Sequence, residues 1–212
     1  MLSTTPRTTL GREKQRGSTD RNDLYEVLDS GLVCHLGVVV NGHPMVVPTG
    51  YGRIGETLYL HGSTGATSLR TGDGGEVCVT VTHVDGIVLA RSIFHHSVNY
   101  RSAIIYGRAR LVTDPDERME GLRALAEQLA PGQWDYVRRP SRKELAATAV
   151  LALSLEEASV KIRRGGPKDE EEDYELPVWA GVLPLVTSWG EPEPDSVLPE
   201  GIGTPVHILH RE

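Results

Sequence analysis

L-V-C-H-L-G-V-V-V-N-G-H-P-M-V-V-P-T-G-Y-G, Leu32 to Gly52, places two apolar runs on either side of Asn41-Gly42. That dipeptide favours a two-residue hairpin turn, because both of its residues tolerate positive φ. A strand, a tight reversal and a second strand are predicted. Beyond them, a turn at Gly55 leads into T-L-Y-L-H, Thr57 to His61, as a third strand. E-V-C-V-T-V-T-H, Glu76 to His83, and I-V-L-A-R-S, Ile87 to Ser92, flank Asp85-Gly86 and read as a second hairpin, while Asn99 to Thr113 reads as one long strand. Six strands with short connections predict a mainly β (α+β) fold, a six-stranded antiparallel barrel with flanking helices, since closure removes exposed edges.

Helices are expected on both sides of this block. Ser18, Thr19 or Asp20 can cap a helix whose Leu24, Val27 and Leu28 share one face, with Gly31 at its end. Asp114-Pro115 opens a second, with Met119, Leu122, Leu125 and Leu129 on its apolar face and Pro131-Gly132 as its stop. Ser141 and Glu144 form a capping-box pattern. Thr148 to Ile162 suits a further strand and a strand-like return, Asp169 to Asp173 a solvated loop, and the proline-interrupted Pro177 to Val186 a covering segment. Residues 1–17, rich in Thr, Arg and Gly, read as a disordered arm; 18–187 form the domain; 188–212 read as an extended, Pro-rich tail.

Composition narrows the function. A chain of 212 residues, 39% hydrophobic and with net charge -7, suits a single domain with a full core and argues against nucleic acid as the main partner. Any anion site must therefore be a local basic patch. Cys34 and Cys78 lie in apolar strand-like runs, which suggests buried, reduced thiols and a cytoplasmic location; a disulfide between neighbouring strands is the alternative. No apolar run approaches the roughly 18 residues of a membrane span, and the N-terminal residues contain no apolar signal core.

Two stretches carry chemistry. In L-Y-L-H-G-S-T-G-A-T-S-L-R, Leu58 to Arg70, a strand runs into a loop of glycines and hydroxyls. Backbone N–H groups near Gly62 and Gly65, a helical turn starting near Ser63, and the hydroxyls of Ser63, Thr64, Thr67 and Ser68 could hold a phosphate; an ordinary polar turn has the same letters. In F-H-H-S-V-N-Y-R-S, Phe94 to Ser102, Arg101 and Ser102 could complete such a site, since guanidinium binds phosphate bidentately, or could mark a solvated strand end. Adjacent His95 and His96 point to opposite sides of a strand and lack metal-site spacing, so no metal is expected. G-Y-G-R-I-G, Gly50 to Gly55, matches the dinucleotide fingerprint in letters alone, because a strand rather than a helix follows it.

Taken together, the order L-V-C-H-L-G-V-V-V, H-P-M-V-V-P, L-Y-L-H-G-S, V-C-V-T-V, Y-R-S-A-I-I-Y-G-R-A-R-L-V and V-W-A-G-V-L-P-L resembles the pyridoxamine phosphate oxidase-like FMN-binding split barrels over residues 20–186, and most closely the branch with nitroimidazole reductases and flavin-nucleotide-binding proteins. The resemblance implies a homodimer with FMN at the subunit interface. It implies that Pro48, Thr49, His61, Gly62, Ser63, Thr64, Thr67, Ser68, Arg101, Ser102 and Trp179 surround the cofactor. Many relatives carry lysines in the loop, where this chain has Thr64 and Ser68, so phosphate binding here falls to hydroxyls, backbone and arginines. The expected function is an FMN-dependent oxidoreductase, FMN preferred over FAD, acting on a small electron-poor substrate such as a nitroaromatic, with His61 positioning substrate or donating a proton. The alternatives are a flavin- or haem-binding protein without turnover and a deazaflavin-dependent relative.

Overall fold

Asn41 and Gly42 both adopt left-handed backbone, φ 51° and 79°, and so close the predicted hairpin between β2 (Val33–Val40) and β3 (His43–Ile54). In the computed structural model, which describes residues 1–211, this hairpin is the centre from which the remaining elements extend. In chain order these are β1 (Gly17–Ser18), α1 (Arg21–Asp29), the hairpin, β4 (Thr57–Ser63), α2 (Thr67–Gly72), β5 (Glu76–Leu89) and β6 (Ser97–Arg108). β7 (Arg110–Leu111), α3 (Pro115–Leu129), α4 (Gln133–Tyr136), α5 (Arg142–Ala147), β8 (Thr148–Ser154), β9 (Glu157–Arg163), β10 (Gly181–Pro184) and α6 (Val206–Leu209) follow.

The sheet is mainly antiparallel with flanking helices, as expected, but its strand count differs. Ten strands run β1-β9-β6-β5-β2-β3-β4-β8-β7, with β10 attached to β5, and the hydrogen-bonded path does not close into a ring. β3 is the bridge. Residues 43–50 pair with β2, whereas residues 51–54 pair with β4. The sheet therefore divides at Gly50-Tyr51, with an opening where β3 and β4 part.

Asp85-Gly86 is not a hairpin turn. β5 runs through it as one 14-residue strand, with a register shift between Val84 and Gly86 against β6. The glycine serves another purpose: a Cβ on Gly86 would lie 2.9 Å from the Leu183 carbonyl oxygen, so its absence lets β10 pair closely.

The core takes the inward side chains of the strands, among them Leu36, Leu58, Leu60, Val79, Ile105, Leu151 and Leu153, all fully or nearly fully buried. α1 covers this core with Leu24, Val27 and Leu28, each 0% exposed, and Asp20 caps it by accepting from Asn22 N–H. Each such side chain contributes roughly 1.5–3 kcal/mol. α3 covers the other face of β4, where Tyr59, Val112, Val150 and Ala152 form a smaller cluster. Cys34 and Cys78 are both free thiols.

The first residues are not a loose arm. Leu2 is buried, its N–H donates to the Thr19 carbonyl, and Gly17-Ser18 pairs with Lys161 and Val160 of β9. Arg7 adds ion pairs to Glu76 and Glu157. A polar composition concealed these contacts because one leucine and a row of hydroxyls and arginines hold the segment.

Candidate functional site

Pro48 and Thr49 on β3 and His61, Gly62 and Ser63 on β4 lie on either side of the point where the two strands part. After Leu60, β4 pairs with β8 alone, and before Tyr51, β3 pairs with β2 alone. The facing edges, near Pro48 and Thr49 on one side and His61, Gly62 and Ser63 on the other, thus lack a strand partner. Backbone N–H and C=O groups at such an edge must find another partner or water.

The loop after Ser63 is ordered by its own bonds. Gly65 N–H donates to Ser63 Oγ at 3.2 Å, Ala66 N–H to the Ser63 carbonyl at 2.9 Å, and Thr64 N–H to the Ala147 carbonyl at 3.0 Å. α2 begins at Thr67, later than the sequence suggested, and docks on β4 because Gly62 leaves room for Leu69. Its N-cap is Ala66, and no side chain caps the helix. The first-turn amides, which Ser, Thr, Asp or Asn would ordinarily satisfy, therefore stand beside the hydroxyl-bearing residues Ser63, Thr64, Thr67 and Ser68.

A cavity of about 410 Å³ adjoins this loop between α2, α3 and β8, with Thr64, Leu69, Arg70, Arg118, Thr148 and Val150 in its wall. Arg118 donates from one terminal nitrogen to the Thr148 carbonyl at 3.0 Å, while its Nε is buried without an acceptor. Neither Arg70 nor Arg118 forms an ion pair among the described residues. Sequence reading missed both: Arg70 lay inside the quoted stretch, but Arg118 sits 48 residues later, on a helix whose pattern records only its apolar face.

His61 follows the buried Leu60 and is exposed at the residue level, yet desolvation of its ring pulls the imidazole pKa below the ordinary value. The neutral form is thereby favoured. Arg101 does not meet this loop within the chain. Its guanidinium binds Asp85 at 3.1 Å, with Glu26 and Ser30 Oγ nearby, and these contacts hold its pKa up. Three strands, β5, β2 and β3, separate β6 from β4. Ser102 lies in register with Thr82 and Lys161, and Trp179, 69% exposed, precedes β10, which pairs with β5 on the edge away from β6. His95 lies 3.6 Å from Glu170, and His96 Nδ1 lies 3.1 Å from the Ser92 carbonyl in a turn. Among the described residues, no cluster of three His, Cys, Asp or Glu side chains could hold a metal ion.

The family model described as pyridoxamine 5'-phosphate oxidase matches residues 20–162, which spans the strands and helices that build this opening. The chain belongs to the pyridoxamine 5'-phosphate oxidase family. Two solved structures match this oxidase-family chain over nearly its whole length. The flavocytochrome Anf3 from Azotobacter vinelandii is 37% identical, with TM-score 0.93 over 99% of this chain and 98% of that one. The FAD and haem binding protein from Mycobacterium smegmatis is 38% identical, with TM-score 0.88 over 92% of this chain and 96% of that one. A candidate 5-nitroimidazole antibiotic resistance protein from Bacteroides thetaiotaomicron, at 20% identity and TM-score 0.57 over 69% of this chain and 86% of that one, shares the fold. No curated protein matches the sequence.

Proposed function

We propose that this chain is a flavin-nucleotide-binding redox protein that works as a homodimer and also carries haem. The observation that carries the flavin reading is α2, uncapped at Ala66, beside the opening between β3 and β4. Phosphate oxygens complete what Ala66 leaves undone, accepting from the first-turn amides and from Thr64, Thr67 and Ser68. Arg118, with its unpaired Nε, and Arg70 add the positive charge that the loop itself lacks. FMN and FAD share this first phosphate and the ring system, so the loop serves either. FMN is the expectation from the sequence, FAD is the ligand of the mycobacterial relative, and calorimetry with each nucleotide separates them.

The strand edge at Pro48 and Thr49 then offers backbone groups to the ring. A bound flavin supplies reversible two-electron chemistry and can pass electrons to a small electron-poor acceptor. His61, whose imidazole pKa is lowered by desolvation, serves in its neutral form as a hydrogen-bonding, substrate-positioning group beside the ring rather than as a proton donor. A neutral imidazole also meets the requirement for a haem ligand.

Arg101, Ser102 and Trp179 join the site from the second copy. Supporting this are large apolar side chains left exposed on the strands, Val46 on β3 and the paired Ile87 and Leu183 on β5 and β10, at 65%, 45% and 58% exposure, which association of two copies would bury. The two free thiols support a reducing, cytoplasmic setting; among the described residues no helix is long and apolar enough to cross a membrane.

The deciding experiment is an absorbance spectrum of the purified protein with its cofactors identified by mass spectrometry. Flavin bands with a Soret band are expected. A colourless protein that takes up neither FMN nor FAD would overturn the reading. His61→Ala then assigns the histidine: loss of the Soret band makes it a haem ligand, whereas slowed reoxidation of reduced flavin by a nitroaromatic, with both bands retained, makes it a flavin-side group.

A further inference from the structure

On the opposite side of the sheet, the N-terminal segment, the turn at Ile93–His95 and the loop after β9 enclose a cleft of about 530 Å³. Its wall contains Arg16, Arg163, Arg164 and Lys168, with His95 and His96, and its one carboxylate among the described residues is Glu13. Glu13 is already engaged by Arg16 at 2.9 Å. Arg164 lies 4.0 Å from Glu26, so Arg163 and Lys168 are the two permanent cations of the cleft without an ion pair among the described residues, a local excess in a chain of net charge -7. The sequence demanded a local basic patch for any anion, and this is one.

Arg163 makes the excess specific. It is 9% exposed, and it donates only to neutral acceptors: Asn99 Oδ1, the Gly165 carbonyl at 3.2 Å and the Gly166 carbonyl at 3.3 Å. Buried charges are ordinarily paired with an opposite charge, because desolvation is otherwise uncompensated. Burial, and then the neighbouring Arg16, depress the Arg163 pKa, an effect that Tyr100 and Glu13 offset only in part. Beside the cleft, Phe94 is 86% exposed, an apolar ring next to a cationic wall. Gly166 has open space where a side chain would stand, so ligand atoms can approach its backbone.

We propose that this cleft binds the diphosphate of a dinucleotide, with Arg163 as its fixed contact, Arg16, Arg164 and Lys168 closing over it, and Phe94 against an attached base. A group of two or more negative charges matches the cation excess, whereas a single carboxylate leaves most of it unanswered. The diphosphate belongs to a nucleotide separate from the flavin, because the flavin's own first phosphate is assigned above to the loop at α2, and β3, β2 and β5 separate β4 from β6.

The test uses the protein as isolated, its flavin content measured, and the exposed double variant Arg164→Ala/Lys168→Ala, with Arg138→Ala as a distant charge control and thermal melting as the folding check. Calorimetry with ADP, and the FAD and FMN affinities of each variant, are the readouts. Saturable ADP binding by the isolated protein, weakened at least tenfold in the double variant alone, assigns the cleft to a separate nucleotide. FAD and FMN affinities should be unchanged in the double variant, since the flavin phosphate is assigned to the loop at α2. If ADP does not bind, if its affinity is unchanged in the double variant, or if the control behaves like the double variant, the proposal is wrong. Flavin bands in that protein would leave the flavin reading standing.

Discussion

Ala66 is the residue on which the anchor can be tested with opposite signs. An aspartate at this N-cap would accept from the first-turn amides and stabilise α2 by about 1 kcal/mol, yet it would set a negative charge where the phosphate belongs. Ala66→Asp should therefore raise the melting temperature of the cofactor-free protein and weaken flavin binding at least tenfold; equal affinity would remove the anchor from this loop. His61 offers a pH test. Its folded pKa lies below that of the unfolded chain, so the unfolded state takes up a proton first as pH falls. The stability it permits is present above about pH 6.5 and is lost as pH drops through the lowered value. Urea midpoints at pH 7.5, 6.5 and 5.5 should fall less steeply in His61→Gln than in the parent. Cys34, whose thiol burial pushes its pKa up to about 12, and Cys78, also raised by burial, should resist a thiol reagent until the protein is unfolded.

At the scale of elements, G-Y-G-R-I-G shows what letters can and cannot reveal. Gly55 has φ 54° in the turn between β3 and β4, which the sequence anticipated. Gly52 has a different reason: a Cβ there would stand 2.4 Å from the Ala124 carbonyl carbon, so the glycine exists for the backbone of α3. Gly52→Ala should displace α3 and cost several kcal/mol, on the order of a disruptive core substitution, while Gly50→Ala, with open space around it, should melt like the parent. The Asn41-Gly42 turn, the Asp20 and Asp114 caps and the Ser141–Glu144 capping box were legible because each is a local bargain between a side chain and its own backbone. Asp85-Gly86 was misread as a turn for the converse reason. Its glycine answers to β10, nearly one hundred residues later, and no local signal carries that contact. Arg118 escaped notice in the same way, since its importance comes from α3 lying over β8.

Across the whole molecule, the expected site residues of one chain fall into separate groups: Pro48 and Thr49 lie on β3 and His61 to Ser68 on and after β4, past the end of the β3–β4 pairing at Tyr51 and Leu60, whereas Arg101 and Ser102 lie on β6, three strands from β4. Val46→Glu should shift the protein from dimer to monomer in light scattering and reduce flavin retention together; a monomeric parent would refute the two-copy site. The open edge of β3 has one more consequence. Pro44 and Pro48 both keep register with β2, a position proline tolerates only when its missing N–H faces away from the partner strand. The two prolines thus remove donors from the side of β3 that has no neighbour before Tyr51. Such an edge can receive a small planar ligand but is a poor template for a further β-strand. Resistance to aggregation is therefore written into the same residues that frame the opening, and Pro48→Val should yield a protein that folds but precipitates or forms fibrils when concentrated without cofactor.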